Sequence, residues 1–362
     1  MLLRFSTKFF LIFFFLFFGS SIAFSAEKFD DQKDFDVNEM IMHHIKDSHE
    51  FHIMDINGHG VSFPLPVILW TENGLVSFLS SEFDHDDSGA VVVNRKGQSF
   101  VKYHEKILYA SDEKNGNYVS YDEEGNILNK KPLDLSITKL VFSMFISMIL
   151  LVIIFVATAK TYSGSVKGEP TGLSKFTEPL IIFIKDEVAV PMIGETNYNK
   201  YMPFLLTLFF FIWINNLMGL IPFFPFSANL SGNIAFTFVL AAITFIITTL
   251  VANKDYWKHI FWMPGIPVPM KLFLAPIEFL GIFIKPISLM IRLFANISAG
   301  HIIVLSLISL IFIFKSIWLA PASLFFSVFI SLIEVLVVAI QAYIFTMLSA
   351  LYIGSAIEEH EH

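Results

Sequence analysis

The sequence contains no cysteine, which excludes disulfides, thiolate metal sites and cysteine nucleophiles. No Gly-x4-Gly-Lys-Ser/Thr run occurs, so a phosphate-cradling loop of that type is absent. Lysine and arginine total 24 against 32 Asp and Glu, and they form no basic patch of the kind nucleic acid requires. His49-Glu50-Phe51-His52 falls one residue short of the His-Glu-x2-His spacing that puts two imidazoles on one helix face. Inverted repeats with interrupted midplane helices, the mark of a self-contained transporter, are not visible. Arginine is scarce: after Arg95 the only one is Arg292.

Apolar residues, by contrast, are abundant. Of 362 residues 55% are hydrophobic, 42 are phenylalanine, and the mean hydropathy is +0.65. A soluble domain does not need so much apolar surface, so the chain reads as an all-α polytopic membrane protein with a small β-rich extracytoplasmic N-terminal domain. Residues 1–25 have the pattern of a signal peptide. Arg4 and Lys8 precede the apolar run Phe9–Phe18, and Ser21, Ala23, Ser25 and Ala26 supply small residues for cleavage. Residues 26–134 are polar, with 21 acidic against 10 basic side chains from residue 27 on, and β-branched and aromatic runs broken by Asn-Gly, Ser-Gly and Lys-Gly turns.

Residues 135–362 form the expected membrane domain. Apolar runs predict helices over about 137–157, 203–223, 233–252, 272–314 and 319–357, and a surface amphipathic helix over about 177–190. Lys160, Lys167 and Lys175 after the first run mark the cytoplasmic side. That places the N-terminal domain outside and the C-terminus in the cytoplasm. The last two runs would each be roughly 60 Å long as helices, twice the hydrocarbon thickness. They must be either broken or steeply tilted, and the short turn between them makes them antiparallel neighbours.

A guanidinium at membrane depth costs roughly 2.5–3.5 kcal/mol on insertion scales and stays protonated, so Arg292 suggests function. At about 100° per residue, Glu278, Gly281, Lys285, Ser288, Asn296 and Ala299 fall within about 40° of Arg292, and His301 points about 180° away. On the last helix the same arithmetic aligns Ser327, Ser331, Glu334, Gln341 and Tyr352. Two facing helices thus offer ionisable or amide groups at several depths, the pattern of an ion path.

At these residues the chain resembles a known family. Lys285-Pro286-Ile287-Ser288, then Arg292-Leu293-Phe294-Ala295-Asn296 and Ala299-Gly300-His301, are similar to subunit a of the rotary F-type ATP synthase. Glu334 with Gln341-Ala342-Tyr343-Ile344-Phe345 looks like that family's last helix, and Asn215-Asn216-Leu217-Met218-Gly219 like its second span. The resemblance covers roughly residues 135–362. It implies a non-catalytic stator in a bacterial inner membrane, partnered by the subunit c ring, the subunit b peripheral stalk and the other ATP synthase subunits, with no cofactor. It further implies that Arg292 faces the ring carboxylates and separates two half-channels. Asn296, His301, Glu334 and Gln341 would form the outer path, with Ser288 on the same polar face and Glu278 at the cytoplasmic exit. An independent ion-coupled transporter or channel is the alternative.

Two departures from the family pattern stand out. Ala295 occupies a place where many members have glycine. His301 and Glu334 reverse the glutamate and histidine of many bacterial members, an exchange that argues the two side chains touch. The N-terminal domain also exceeds compact members and holds seven of the eleven histidines. His44, His49 and His52 are candidate metal ligands, with pH sensing or a plain solvated surface as alternatives.

Overall fold

The computed structural model describes residues 46–56, 59–114, 116–164, 172–221, 224–263, 265–314 and 316–358. The leader and its expected cleavage site lie outside them, as does His44. The chain divides into two compact units, one of residues up to Phe145 with Ile221–Ala228, the other of Ile146–Leu220 with residues from Asn229 on.

The first unit is built on strands β1 (Glu50–Ile56), β2 (His59–Pro64), β3 (Pro66–Thr71), β4 (Gly74–Leu79), β5 (Val93–Arg95), β6 (Gln98–Tyr103), β7 (Lys106–Tyr109) and β8 (Leu133–Asp134). They form an antiparallel β1–β2 hairpin and two three-stranded antiparallel sheets, ordered β4-β3-β8 and β5-β6-β7. Alternation along β3 turns Val67, Leu69 and Thr71 inward and leaves Trp70 exposed. Val67, Leu69, Val76, Phe78, Phe83, Phe100 and Ile107 make one core from both sheets. The β5–β6 hairpin turns through Lys96 and Gly97 with φ of 47° and 74°, the left-handed pair a two-residue turn requires. Strand β1 was not expected from sequence, because its alternation changes phase at Ile53–Met54, where the pairing with β2 is also irregular. Phe51 is its buried anchor and meets Phe142 edge-on at 5.6 Å.

Helices follow: α1 (Lys139–Gly164), α2 (Ser174–Ile184), α3 (Val190–Ile193), α4 (Tyr198–Gly219), α5 (Ile234–Val251), α6 (Lys254–Phe261), α7 (Val268–Ile313) and α8 (Ala320–Ile357). A π-helical segment, Lys185–Ala189, joins α2 to α3. Among the described residues five helices are long and apolar enough to cross a membrane: α1, α4, α5, α7 and α8. The molecule is therefore a polytopic membrane protein with a β-rich N-terminal domain.

Helix α7 has 46 residues and α8 has 38, about 69 and 57 Å at 1.5 Å per residue. Both are continuous, although α7 contains Pro276 and Pro286. Of the two possibilities, broken or tilted, continuity leaves tilt, since the hydrocarbon layer is only about 30 Å thick. Threonine hydroxyls in the helices bond back to carbonyls four residues earlier, as Thr244 does to Leu240, and so satisfy themselves inside apolar surroundings.

The segment after α5, for which the apolar runs predict no helix, contains α6. Asn253 fixes it: its Oδ1 accepts from the Tyr256 N–H, a helix N-cap, while its Nδ2 donates to the Glu358 carbonyl. Its backbone N–H also donates to the Ala356 carbonyl. One residue thereby ties α6 to the end of α8.

Candidate functional site

Three contacts set the register of α7 against α8. Asn296 Nδ2 donates to Gln341 Oε1 at 2.8 Å, His301 Nδ1 lies 2.7 Å from Glu334 Oε1, and the Ser323 hydroxyl donates to the Leu307 carbonyl. As α7 numbers rise, α8 numbers fall, so the helices are antiparallel. The structure thus brings His301 and Glu334 together, as the sequence suggested, and adds a pairing of Asn296 with Gln341 that the sequence did not point to.

Glu334 is 5% exposed and Gln341 2%. A carboxylate buried this deeply needs a partner, and the imidazole supplies it. At 2.7 Å the two groups share a hydrogen bond along which a proton can pass. Gly300 makes the approach possible: a Cβ there would stand 2.6 Å from Glu334 Oε1 and 2.8 Å from its Cδ. Within the Ala-Gly-His motif, Gly300 had no role assigned from sequence. Its only signal was a glycine inside a helix, one residue before a polar group.

Arg292 is placed differently. Leu289, Leu293 and Ile297 are buried on the packed side of α7, whereas Lys285, Ser288, Arg292 and Asn296 are exposed in this chain. Arg292 has no hydrogen bond or ion pair among the described residues. Lys285 lies 5.7 Å from the centroid of the Tyr352 ring on α8. Glu278, nearer the start of α7, is half-buried and borders a cavity of about 200 Å³ shared with α6 and the end of α8. The stripe inferred from helical geometry is thus an open face with a permanent cation near its middle.

The histidines of the first unit have a separate setting. His49 is 3% exposed, with Nε2 3.0 Å from Asp134 Oδ2 and Nδ1 3.7 Å from Glu105 Oε2. Lys102, 2% exposed, lies 3.7 Å from both Glu50 and Glu105, and His85 Nδ1 is 2.8 Å from Glu50 Oε2. His49 therefore belongs to a buried ionic network and not to a solvated surface. No cluster of three or more metal-ligand side chains occurs among the described residues. Of the other two metal candidates, His44 lies outside the description, as does the His52 side chain.

Burial disfavours the His49 cation, but Asp134 and Glu105 outweigh it and push the imidazole up to about 9. A group raised in the folded state stabilises below its ordinary value of 6.5 and loses that effect as pH climbs through the folded value. Protease resistance of this domain in the full-length chain is expected to hold up to about pH 6.5 and to fall as pH passes about 9. His49→Gln should flatten that dependence; a fall of equal size in the variant would place its origin elsewhere.

Fold and site together define a multi-pass membrane protein whose two longest helices carry ionisable and amide groups at several depths. Residues 141–354 match the family described as ATP synthase A chain. Residues 40–135 match a family described as a domain of unknown function. ATP synthase subunit a of Chlorobium phaeobacteroides (strain DSM 266 / SMG 266 / 2430) is 38% identical over 304 residues, covering 78% of this chain and 87% of that one. ATP synthase subunit a of Chloroherpeton thalassium is 42% identical over 235 residues, 63% of this chain and 69% of the relative. ATP synthase subunit a of Anaeromyxobacter dehalogenans (strain 2CP-C) is 36% identical over 288 residues, 77% and 73%. The chain belongs to the ATP synthase subunit a family, and its place is the membrane sector of that complex.

Proposed function

We propose that this subunit is a non-catalytic stator that carries protons to and from a rotating subunit c ring through two half-channels, with Arg292 between them. The observation that carries the reading is the open polar face of α7, where an unpaired arginine stands among exposed Lys285, Ser288 and Asn296. A charge left without a partner inside its own chain at membrane depth calls for one from another chain, and a ring carboxylate satisfies it. The fixed cation favours the ionised form of each passing carboxylate, which releases its proton on arrival. The same charge repels protons that would otherwise leak directly between the two paths.

Asn296, His301, Glu334 and Gln341 serve the outer path, and Glu278 the inner one. The lysine distribution puts the N-terminal domain, residues 26–134, on the periplasmic side and the C-terminus of membrane domain 135–362 in the cytoplasm. The subunit b stalk holds the subunit against rotation.

Because the chain has no cysteine, single cysteines report cleanly on this interface. Ser288→Cys and Asn296→Cys are expected to cross-link to cysteines on the outward helix of the ring subunit. Ile287→Cys, also exposed but on another side of α7, should not. Cross-linking from Ile287 alone would place the ring against a different face and overturn the reading.

A further inference from the structure

Near the start of α7, the cavity of about 200 Å³ is lined by Tyr256, His259 and Ile260 of α6, Glu278, Ile282 and Lys285 of α7, and Ser355 and Glu358 at the end of α8. Its walls are fixed. Asn253 caps α6 and bonds to the Ala356 and Glu358 carbonyls. On the other flank, the Phe261 ring lies 5.9 Å from Phe279, and Lys271 sits 4.9 Å from the centroid of the Trp262 ring. Helix periodicity turns Tyr256, His259 and Ile260 to one side of α6, toward the cavity. Burial, and the Glu278 carboxylate nearby, push the Tyr256 phenol up, so Glu278 acts electrostatically across this space.

Moving protons between bulk water near neutral pH and a carboxylate at the cavity calls for a group that exchanges them readily there. Imidazole is the side chain that both binds and releases protons in that range. His259 is half-buried, stands on a different helix from Glu278, and lines the same cavity. Its surroundings are charged on every packed element: Glu278 and Lys285 from α7, Glu358 from α8, and Lys258 beside it on α6.

We propose that His259 is the proton-exchanging group at the inner mouth, passing protons between cytoplasmic water and Glu278. In the inward step the imidazolium gives its proton to the Glu278 carboxylate through cavity water, and the neutral imidazole then takes another from bulk buffer. The outward step is the reverse, and no other reactant is needed. This rests on the stator reading above and adds a residue to it. His259 is a positioning and exchange residue and does not touch the ring carboxylate.

The test uses the whole complex in everted membrane vesicles, whose cytoplasmic face is outward, with an uncoupler present. The rate measured is ATP hydrolysis sensitive to carbodiimide labelling of the ring. His259→Ala is expected to slow it about tenfold above neutral pH and less below it. Millimolar imidazole in the medium should restore the rate, and an equal concentration of choline should not. His259→Gln, which keeps the side chain's bulk, should show the same slowing with normal assembly. An unchanged rate in both variants, or a loss that imidazole leaves in place, overturns the proposal. Arg292→Ala, assayed in parallel by vesicle acidification without the uncoupler, separates the two levels. If that variant still pumps protons, the stator reading itself falls; if it does not and His259→Ala hydrolyses normally, only the role of His259 does.

Discussion

Replacing Glu334 by alanine is expected to stop ATP-driven proton pumping in assembled complexes, a fall of at least about a hundredfold. The carboxyl is 5% exposed and 2.7 Å from His301, so its loss removes a proton site and leaves the imidazole without its partner. His301→Ala should act in the same direction and less severely, since the imidazole is the more accessible of the two, at 20% against 5% of the side chain. The informative variant is the exchange, His301→Glu with Glu334→His, which restores the pair in reverse order. It should pump better than either single substitution. Gly300→Ala is expected to mimic the defect, because its methyl group would lie within 2.6 Å of Glu334 Oε1. A double exchange no better than the singles would argue against direct coupling.

The second large effect concerns assembly. Gly354 on α8 is buried, and a Cβ there would stand 1.8 Å from the Met192 carbonyl oxygen on α3. That neighbour is backbone, so no rotamer change relieves the clash. Overpacking of this kind costs about 1–3 kcal/mol or more, a large share of a marginal stability. In membranes, small residues at helix crossings provide the packing that holds helices together. Gly354→Ala should therefore lower the amount of subunit recovered from membranes several-fold. Gly281→Ala, whose Cβ meets nothing within 4 Å in this chain, should accumulate normally. Equal recovery of both would show that α8 can shift away from α3 at little cost.

Much of the membrane half was legible because bilayer physics acts on sequence directly. A span needs a long apolar run, and a polar residue inside one needs a reason. The reversed order of His301 and Glu334 points to contact between them from sequence alone. Arg292, Ser288 and Asn296 shared a face by simple rotation, and α7 is continuous enough for that arithmetic to hold over its length.

What escaped depends on distances between separate elements. Gly300 and Gly354 look alike in sequence, yet one faces a carboxylate and the other a backbone carbonyl. Helix α6 hid within a charged stretch, because its role follows from Asn253 meeting the end of α8. In the N-terminal domain, nothing local marks Lys102 as buried, and His49 stands among the candidate metal ligands. Both are buried because Glu105 and Asp134 reach His49, and Glu50 reaches Lys102, from distant parts of the sequence. Long-range charge compensation of this kind has no periodicity to reveal it.

The central claim is that Arg292 is the charge across which the ring exchanges its protons. ATP-driven acidification of everted vesicles carrying Arg292→Ala, with the assembled complex quantified in parallel, tests it most directly. Normal assembly and no acidification are expected, because ring carboxylates would meet no cation to discharge them. Assembly with undiminished acidification would contradict it, and would make the arginine a structural feature of α7.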